Sequence, residues 1–134
     1  MSVPPPAKRI RPVVTRPVVL LVDDEAAIRT VLETALEPHF DVESARSANE
    51  AEIMMATRSY DVVVCDHLMP DEEGLAFLTR ARTQFPKVQR ILMTGYMNPE
   101  LISRSTSMAG LAACLMKPLN TADLVAAIRM AVPH

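Results

Sequence analysis

Aromatic residues are scarce in this chain of 134 residues, which has no tryptophan, two tyrosines and three phenylalanines. None falls among the first sixteen residues, so Lys8, Arg9, Arg11 and Arg16 have no neighbouring ring on which a nucleic-acid base could stack. That segment also lacks any acid and carries Pro4, Pro5, Pro6 and Pro12, with Pro17 following. Residues 1–16 are therefore read as a basic, proline-rich arm, extended or disordered, and a solvated tail rather than a nucleic-acid contact. Cysteine is almost as rare: Cys65 and Cys114 both sit in apolar runs, which argues against a disulfide framework and for reduced core thiols. No apolar run approaches the roughly 20 residues that span a bilayer. The N-terminus also lacks the apolar middle and small-residue cleavage site of a secretory signal. The expectation is a cytoplasmic protein with no membrane contact.

The rest has the composition of one soluble globular domain, 49% hydrophobic and 22% charged. Of 14 basic residues four lie in the arm, which leaves ten against 16 acidic ones. From Val18 onward two hydrophobic periods alternate. "VVLLV" (Val18 to Val22) is a continuous apolar run, the pattern of a strand covered on both faces. Ile28, Val31, Leu32, Ala35 and Leu36 then recur at helical spacing until Pro38. "FDVES" alternates like a half-exposed edge strand, and Ser47 with Glu50 forms a capping box opening a helix through Ala51, Met54 and Met55. "DVVVC" (Asp61 to Cys65) is again a buried strand. Leu75, Leu78, Ala81 and Arg82 continue a third helix ending before Pro86, and "RILM" (Arg90 to Met93) is the fourth strand. Asn98 as N-cap and Pro99 start a fourth helix that closes near Gly110. "AACLM" (Ala112 to Met116) is a fifth strand, and the last helix puts Leu124, Val125 and Ile128 on its inner face. The methionines fall mostly at core spacing and read as adaptable filler.

Five strand-helix units of this length predict an α/β fold, doubly wound, with a parallel sheet between two helical layers. In such sheets ligands bind outside the carboxyl ends of the strands. Asp23 and Asp24 follow the first strand, Asp66 the third, Thr94 the fourth, and Lys117 with Pro118 the fifth. Three carboxylates, a hydroxyl and one ammonium should therefore converge on one edge. A single lysine leaves a net negative charge that asks for a divalent cation, and oxygen ligands favour a hard ion, Mg²⁺. A carboxylate here can serve as nucleophile and become an acyl phosphate, with cation and lysine offsetting charge and the threonine hydroxyl donating a hydrogen bond.

"LLVDDE", "DHLMPDEEG", "LMTGY" and "LMKPL", in this order and spacing, resemble the receiver domain of two-component response regulators. The resemblance covers Val18 to Val132 and places the domain at 17–134. It implies a flavodoxin-like (βα)5 three-layer sandwich with sheet order 2-1-3-4-5. It also implies that Asp66 accepts a phosphoryl group from a sensor histidine kinase or a histidine phosphotransfer protein, and that the receiver then changes its protein-binding surface. By the family's roles Asp24, Asp66 and the backbone carbonyl of Leu68 coordinate Mg²⁺, Asp23 acts through water, Lys117 pairs with Asp66 and then the phosphoryl group, and Thr94 moves toward it. A cis Lys117-Pro118 bond is implied as well, and Gly74 supplies backbone freedom where the loop meets the third helix. The expected chemistry is self-phosphotransfer and autodephosphorylation, with no turnover of an external metabolite. The partners implied are the kinase and a downstream output domain or protein. A phosphorylation-dependent homodimer through the helix 4, strand 5, helix 5 face is compatible with this reading, and direct nucleic-acid binding is not expected. Cys114 stands where the family often has the aromatic residue that relays phosphorylation, so Tyr96 becomes a candidate for part of that relay.

Two other readings compete. A phosphorylation-independent interaction module on the same fold predicts loss of an acid or the lysine, and all are present. An aspartyl-phosphate hydrolase of the haloacid dehalogenase type needs a second acid two residues after the nucleophile, where this chain has Leu68. Asp71, Glu72 and Glu73 read as a charged start to the third helix. His67 reads as a loop side chain bordering the site, His39 and His134 as surface positions, and Cys65 as an inert core thiol. The chain stops at His134 just after its last helix, which fits either a stand-alone regulator or a receiver from a longer protein.

Overall fold

The computed structural model describes residues 16–95 and 99–132. The arm before Arg16, the Tyr96 relay candidate, the Asn98 cap and His134 lie outside the described residues.

The elements alternate as β1 (Val18–Val22), α1 (Ala26–Leu36), β2 (Asp41–Ala45), α2 (Ala48–Thr57), β3 (Val62–Asp66), α3 (Gly74–Gln84), β4 (Gln89–Thr94), α4 (Pro99–Ala109), β5 (Ala113–Met116) and α5 (Thr121–Ala131). All neighbouring strands pair in parallel, and the sheet order is β2-β1-β3-β4-β5. This is the doubly wound sandwich expected from the alternation. Because side chains of a strand point to opposite faces in turn, the sheet divides into two cores. Leu20, Val22, Val63, Cys65 and Leu92 pack with α2 and α3 residues such as Met55, Phe77 and Leu78. Val19, Leu21, Val62, Val64, Ile91 and Met93 face Leu32 and Leu36 of α1 and Leu124 and Ile128 of α5.

Specific hydrogen bonds and one glycine set several boundaries. Ser47 Oγ accepts from Glu50 N at 3.0 Å to open α2, while Glu50 Oε1 accepts from Arg46 N, one residue before the cap. Gly110 ends α4 at a φ of 58°, where a side chain would be strained. Asp61 is not part of β3. Its carboxylate accepts from Val18 N at 2.8 Å and ties the start of β1 to the start of β3.

Several expectations need revision. Val31 is 63% exposed, because the inward stripe of α1 runs through Leu32 and Leu36 instead. In α3 the largest buried side chain is Phe77, which the reading of Leu75, Leu78 and Ala81 passed over. β2 is half-buried along most of its length, as an edge strand covered by helices on both faces, and does not alternate cleanly. The methionines divide: Met55 and Met93 are core, whereas Met108, Met116 and Met130 are 48%, 50% and 84% exposed.

Candidate functional site

β1, β3, β4 and β5 deliver their last residues to one edge. Asp23 follows β1 with no exposed surface, and its Oδ1 accepts from Glu25 N at 2.9 Å. Asp23 Oδ2 is buried and has no hydrogen-bond partner. Asp66, the final residue of β3, is 5% exposed, while Asp24 is open to solvent. One oxygen from each of these three carboxylates lies within 4.8 Å of the others. Lys117 Nζ is 2.9 Å from Asp66 Oδ1 and 3.7 Å from Asp23 Oδ2. Thr94 ends β4 and is buried; its carbonyl accepts from Lys117 N at 2.9 Å. The Lys117-Pro118 bond is cis, as the resemblance implied.

The electrostatics follow from this crowding. Burial, aided by the charge of Asp66, pushes the Asp23 carboxyl above its ordinary value, against the opposing hydrogen bond from Glu25 N. Burial works against the charge of Lys117, but its hydrogen bond to Asp66 and the charges of Asp66 and Asp23 prevail and raise it. The acids outnumber the lysine, and Asp23 Oδ2 is a buried acceptor without a donor. An all-oxygen set of this kind fits a hard divalent ion such as Mg²⁺.

The loop from His67 to Glu73 is pinned at both ends. His67 N donates to Met93 O, and Gly74 N donates to His67 O, each at 2.8 Å. Gly74 is required here by close approach, not by backbone freedom: its φ is not positive, but a Cβ would lie 2.2 Å from the Asp66 carbonyl oxygen. Leu68 presents an exposed side chain from this loop. His67 borders the site with a mostly buried ring whose Nδ1 has no hydrogen-bond partner and whose Nε2 is 4.0 Å from Glu73. Cys65 is buried, and burial together with Asp66 and Asp23 pushes its thiol well above the usual range. Cys114 is half-buried on β5, paired with Leu92 of β4, and burial raises its thiol too.

Of the acids after Pro70 only Glu73 stands at the start of α3. No acid lies in the first turn of α3, and its N-cap Glu73 makes no side-chain cap. Asp71 instead accepts from Asn49 N at 3.1 Å and from Ala48 N at 3.4 Å, at the start of α2. Glu72 pairs with Arg80, which also reaches Glu52 of α2. Two arginines were likewise missed: buried Arg90 donates to the carbonyls of Val88, Ala109 and Gly110, and Arg82 to those of Ser107 and Met108. Together they close the C-terminus of α4. Their partners at the end of α4 lie far away in sequence, so only the fold reveals them.

The family model for the response regulator receiver domain matches residues 19–129. The chain belongs to that family. This receiver is 33% identical over 114 residues to the hydrogenase transcriptional regulatory protein HoxA of Cupriavidus necator, covering 85% of this chain and 24% of that protein. It is 31% identical over 120 residues to the DNA-binding transcriptional regulator NtrC of Salmonella typhimurium, covering 89% and 25%. The receiver thus spans about a quarter of the length of the curated relatives it matches. Among solved structures it resembles the signal receiver domain of an HD domain-containing protein from Pseudomonas fluorescens, with a TM-score of 0.81 and 32% identity, covering 87% of this chain and 94% of that one. A CheY-like receiver from Methanospirillum hungatei gives 0.79 and 32%, covering 86% and 92%. The family is regulatory and belongs to two-component systems. Among the described residues no helix is long and apolar enough to cross a membrane.

Proposed function

We propose that this receiver takes a phosphoryl group onto Asp66 from a phosphohistidine of a sensor kinase or a histidine phosphotransfer protein. The observation that carries the reading is the position of Asp66: nearly buried at the end of an inner strand, beside two more carboxylates, and 2.9 Å from the Lys117 ammonium. An Asp66 carboxylate oxygen attacks phosphorus, the nitrogen–phosphorus bond breaks, the imidazole keeps the electron pair and takes a proton, and an acyl phosphate remains. Attack of water on that phosphoryl group returns the carboxylate and inorganic phosphate. Lys117 follows the charge from the carboxylate to the phosphoryl oxygens, and the Thr94 hydroxyl donates to one of them. Asp24, Asp66 and the Leu68 carbonyl would hold Mg²⁺ directly, with Asp23 acting through water. When bound, the ion offsets negative charge on the phosphoryl oxygens.

A groove of about 500 Å³ between α1 and the Lys117 to Leu119 segment, lined by Ile28, Val31, Leu32 and Met93, opens beside the site. The exposed apolar side chains Ile102, Met108 and Met116 support the α4, β5, α5 face as the surface that a downstream output domain or protein reads. The setting that fits is the cytoplasm, with the receiver at 17–134 following the basic arm. Mixing the protein with a phosphorylated histidine kinase tests the reading: label should leave the kinase histidine and appear on this chain, and retention of all label on the kinase and on every phosphotransfer protein supplied would contradict it.

A further inference from the structure

The first-turn N–H groups of Ala48, Asn49 and Glu50 in α2 have no carbonyl four residues back within the helix, so each needs an outside acceptor. Ser47 Oγ takes that of Glu50 at 3.0 Å. Asp71 takes the other two, Asn49 at 3.1 Å and Ala48 at 3.4 Å. Asp71 belongs to the loop that leaves Asp66, three residues beyond Leu68. A carboxylate at a helix N-terminus is favoured by charge-assisted bonds and by the helix dipole. Elsewhere this loop is held near its two ends by the bonds of His67 and Gly74, by the packing of Met69 against the core, and by the pairing of Glu72 with Arg80. Leu68 itself is exposed and lies between the attachments of His67 and Asp71, with Met69 beside it turned to the core.

We infer that Asp71 is a positioning residue for the phosphoryl site: by gripping the start of α2 it sets the part of the loop that carries the Leu68 carbonyl. The inference rests on the proposed reading, in which that carbonyl is a Mg²⁺ ligand. It assigns α2 a task beyond packing, as the fixed support of a loop on the reactive edge. A ligand carbonyl on a loosened loop must be ordered when the ion binds, and that ordering weakens affinity. Residues that hold metal ligands typically change affinity by about 10- to 100-fold, and Asp71, acting through the intervening backbone, should change it by about 3- to 10-fold.

Three variants of the full chain separate positioning from plain helix capping. Asp71→Ala removes both bonds, Asp71→Asn keeps one acceptor oxygen without the charge, and Ser47→Ala removes a cap of α2 while leaving the loop attached. Mg²⁺ affinity by calorimetry should fall in Asp71→Ala, fall less in Asp71→Asn, and stay within about twofold of wild type in Ser47→Ala, although Ser47→Ala also lowers the melting temperature. In amide spectra, Mg²⁺ should shift the Ala48 and Asn49 resonances of the wild type, and Asp71→Ala should abolish that response while Asp24 and Asp66 still respond. Equal affinity in Asp71→Ala and wild type, or an equal loss in Ser47→Ala, overturns the inference. If the wild type takes up no Mg²⁺ at all, the proposed phosphoryl site falls, and the inference falls with it.

Discussion

Lys117 Nζ lies 2.9 Å from Asp66 Oδ1, although Lys117 follows β5 and Asp66 ends β3, strands separated by β4. The contact spans the sheet at its carboxyl edge and holds the ammonium against a carboxylate that has two acidic neighbours. Lys117→Met should therefore slow phosphoryl transfer to Asp66 by about 100-fold or more, the scale for loss of one charge-stabilising donor. The same change should tighten Mg²⁺ binding, because the carboxylates lose their internal counter-charge. Stopped phosphorylation assays and calorimetry read the two effects, and weaker Mg²⁺ binding would contradict this account of the lysine.

Asp23 supplies a pH-dependent prediction. Burial raises its carboxyl above the ordinary 3.8, so the folded chain holds that proton more tightly than the unfolded chain does. The stabilising contribution is full below the unfolded value and is lost as pH rises through the raised folded value. At neutral pH without Mg²⁺ the ionised Asp23 is thus destabilising. Asp23→Asn, which retains an acceptor for Glu25 N, should raise the metal-free melting temperature at pH 7 by about 2–6 °C and have little effect near pH 3. With saturating Mg²⁺ the wild type should gain more than the variant, which keeps Asp24, Asp66 and the Leu68 carbonyl but lacks the charge of Asp23. Thermal melts at both pH values check this.

Gly74→Ala tests the close approach at the end of the loop. The added Cβ would meet backbone atoms, the Asp66 carbonyl oxygen at 2.2 Å and His67 Cα at 2.9 Å, and neither can swing aside like a side chain. The variant should lose about 1–3 kcal/mol, the range for overpacking, by urea denaturation. An unchanged midpoint would show that the loop relaxes freely.

Arg90 is 7% exposed and donates 2.7 Å to Ala109 O, 2.6 Å to Val88 O and 3.2 Å to Gly110 O. Its burial lowers its pKa, and the charge of Arg82 adds to the effect. Arg90→Met would leave these carbonyls without their donor, at a cost of about 2–3 kcal/mol. Hydrogen exchange should quicken first at the C-terminal turn of α4. Loss spread evenly over the sheet would contradict a local clamp.

How much of this was legible beforehand differs by residue. The strands and Asp23, Asp24, Asp66, Thr94 and Lys117 could be read because hydrophobic period gives element type, and parallel topology then sends every strand end to one edge. Leu32 could be read as core but Val31 could not be separated from it, since a helical stripe seen from sequence has soft borders. Asp71 was assigned to the wrong helix because its partners, Ala48 and Asn49, are distant in sequence and are backbone groups. Arg90 and Arg82 were hidden for the same reason. Gly74 was singled out correctly, but its reason, contact with the Asp66 carbonyl, is a property of packing.

The central claim is that Asp66 is the phosphoryl acceptor, and peptide mapping after incubation with acetyl phosphate and Mg²⁺ tests it most directly. The account predicts a single hydroxylamine-labile adduct on the peptide containing Asp66, absent without Mg²⁺ and absent in Asp66→Asn. An adduct on a histidine, or one that persists unchanged in Asp66→Asn, would contradict it.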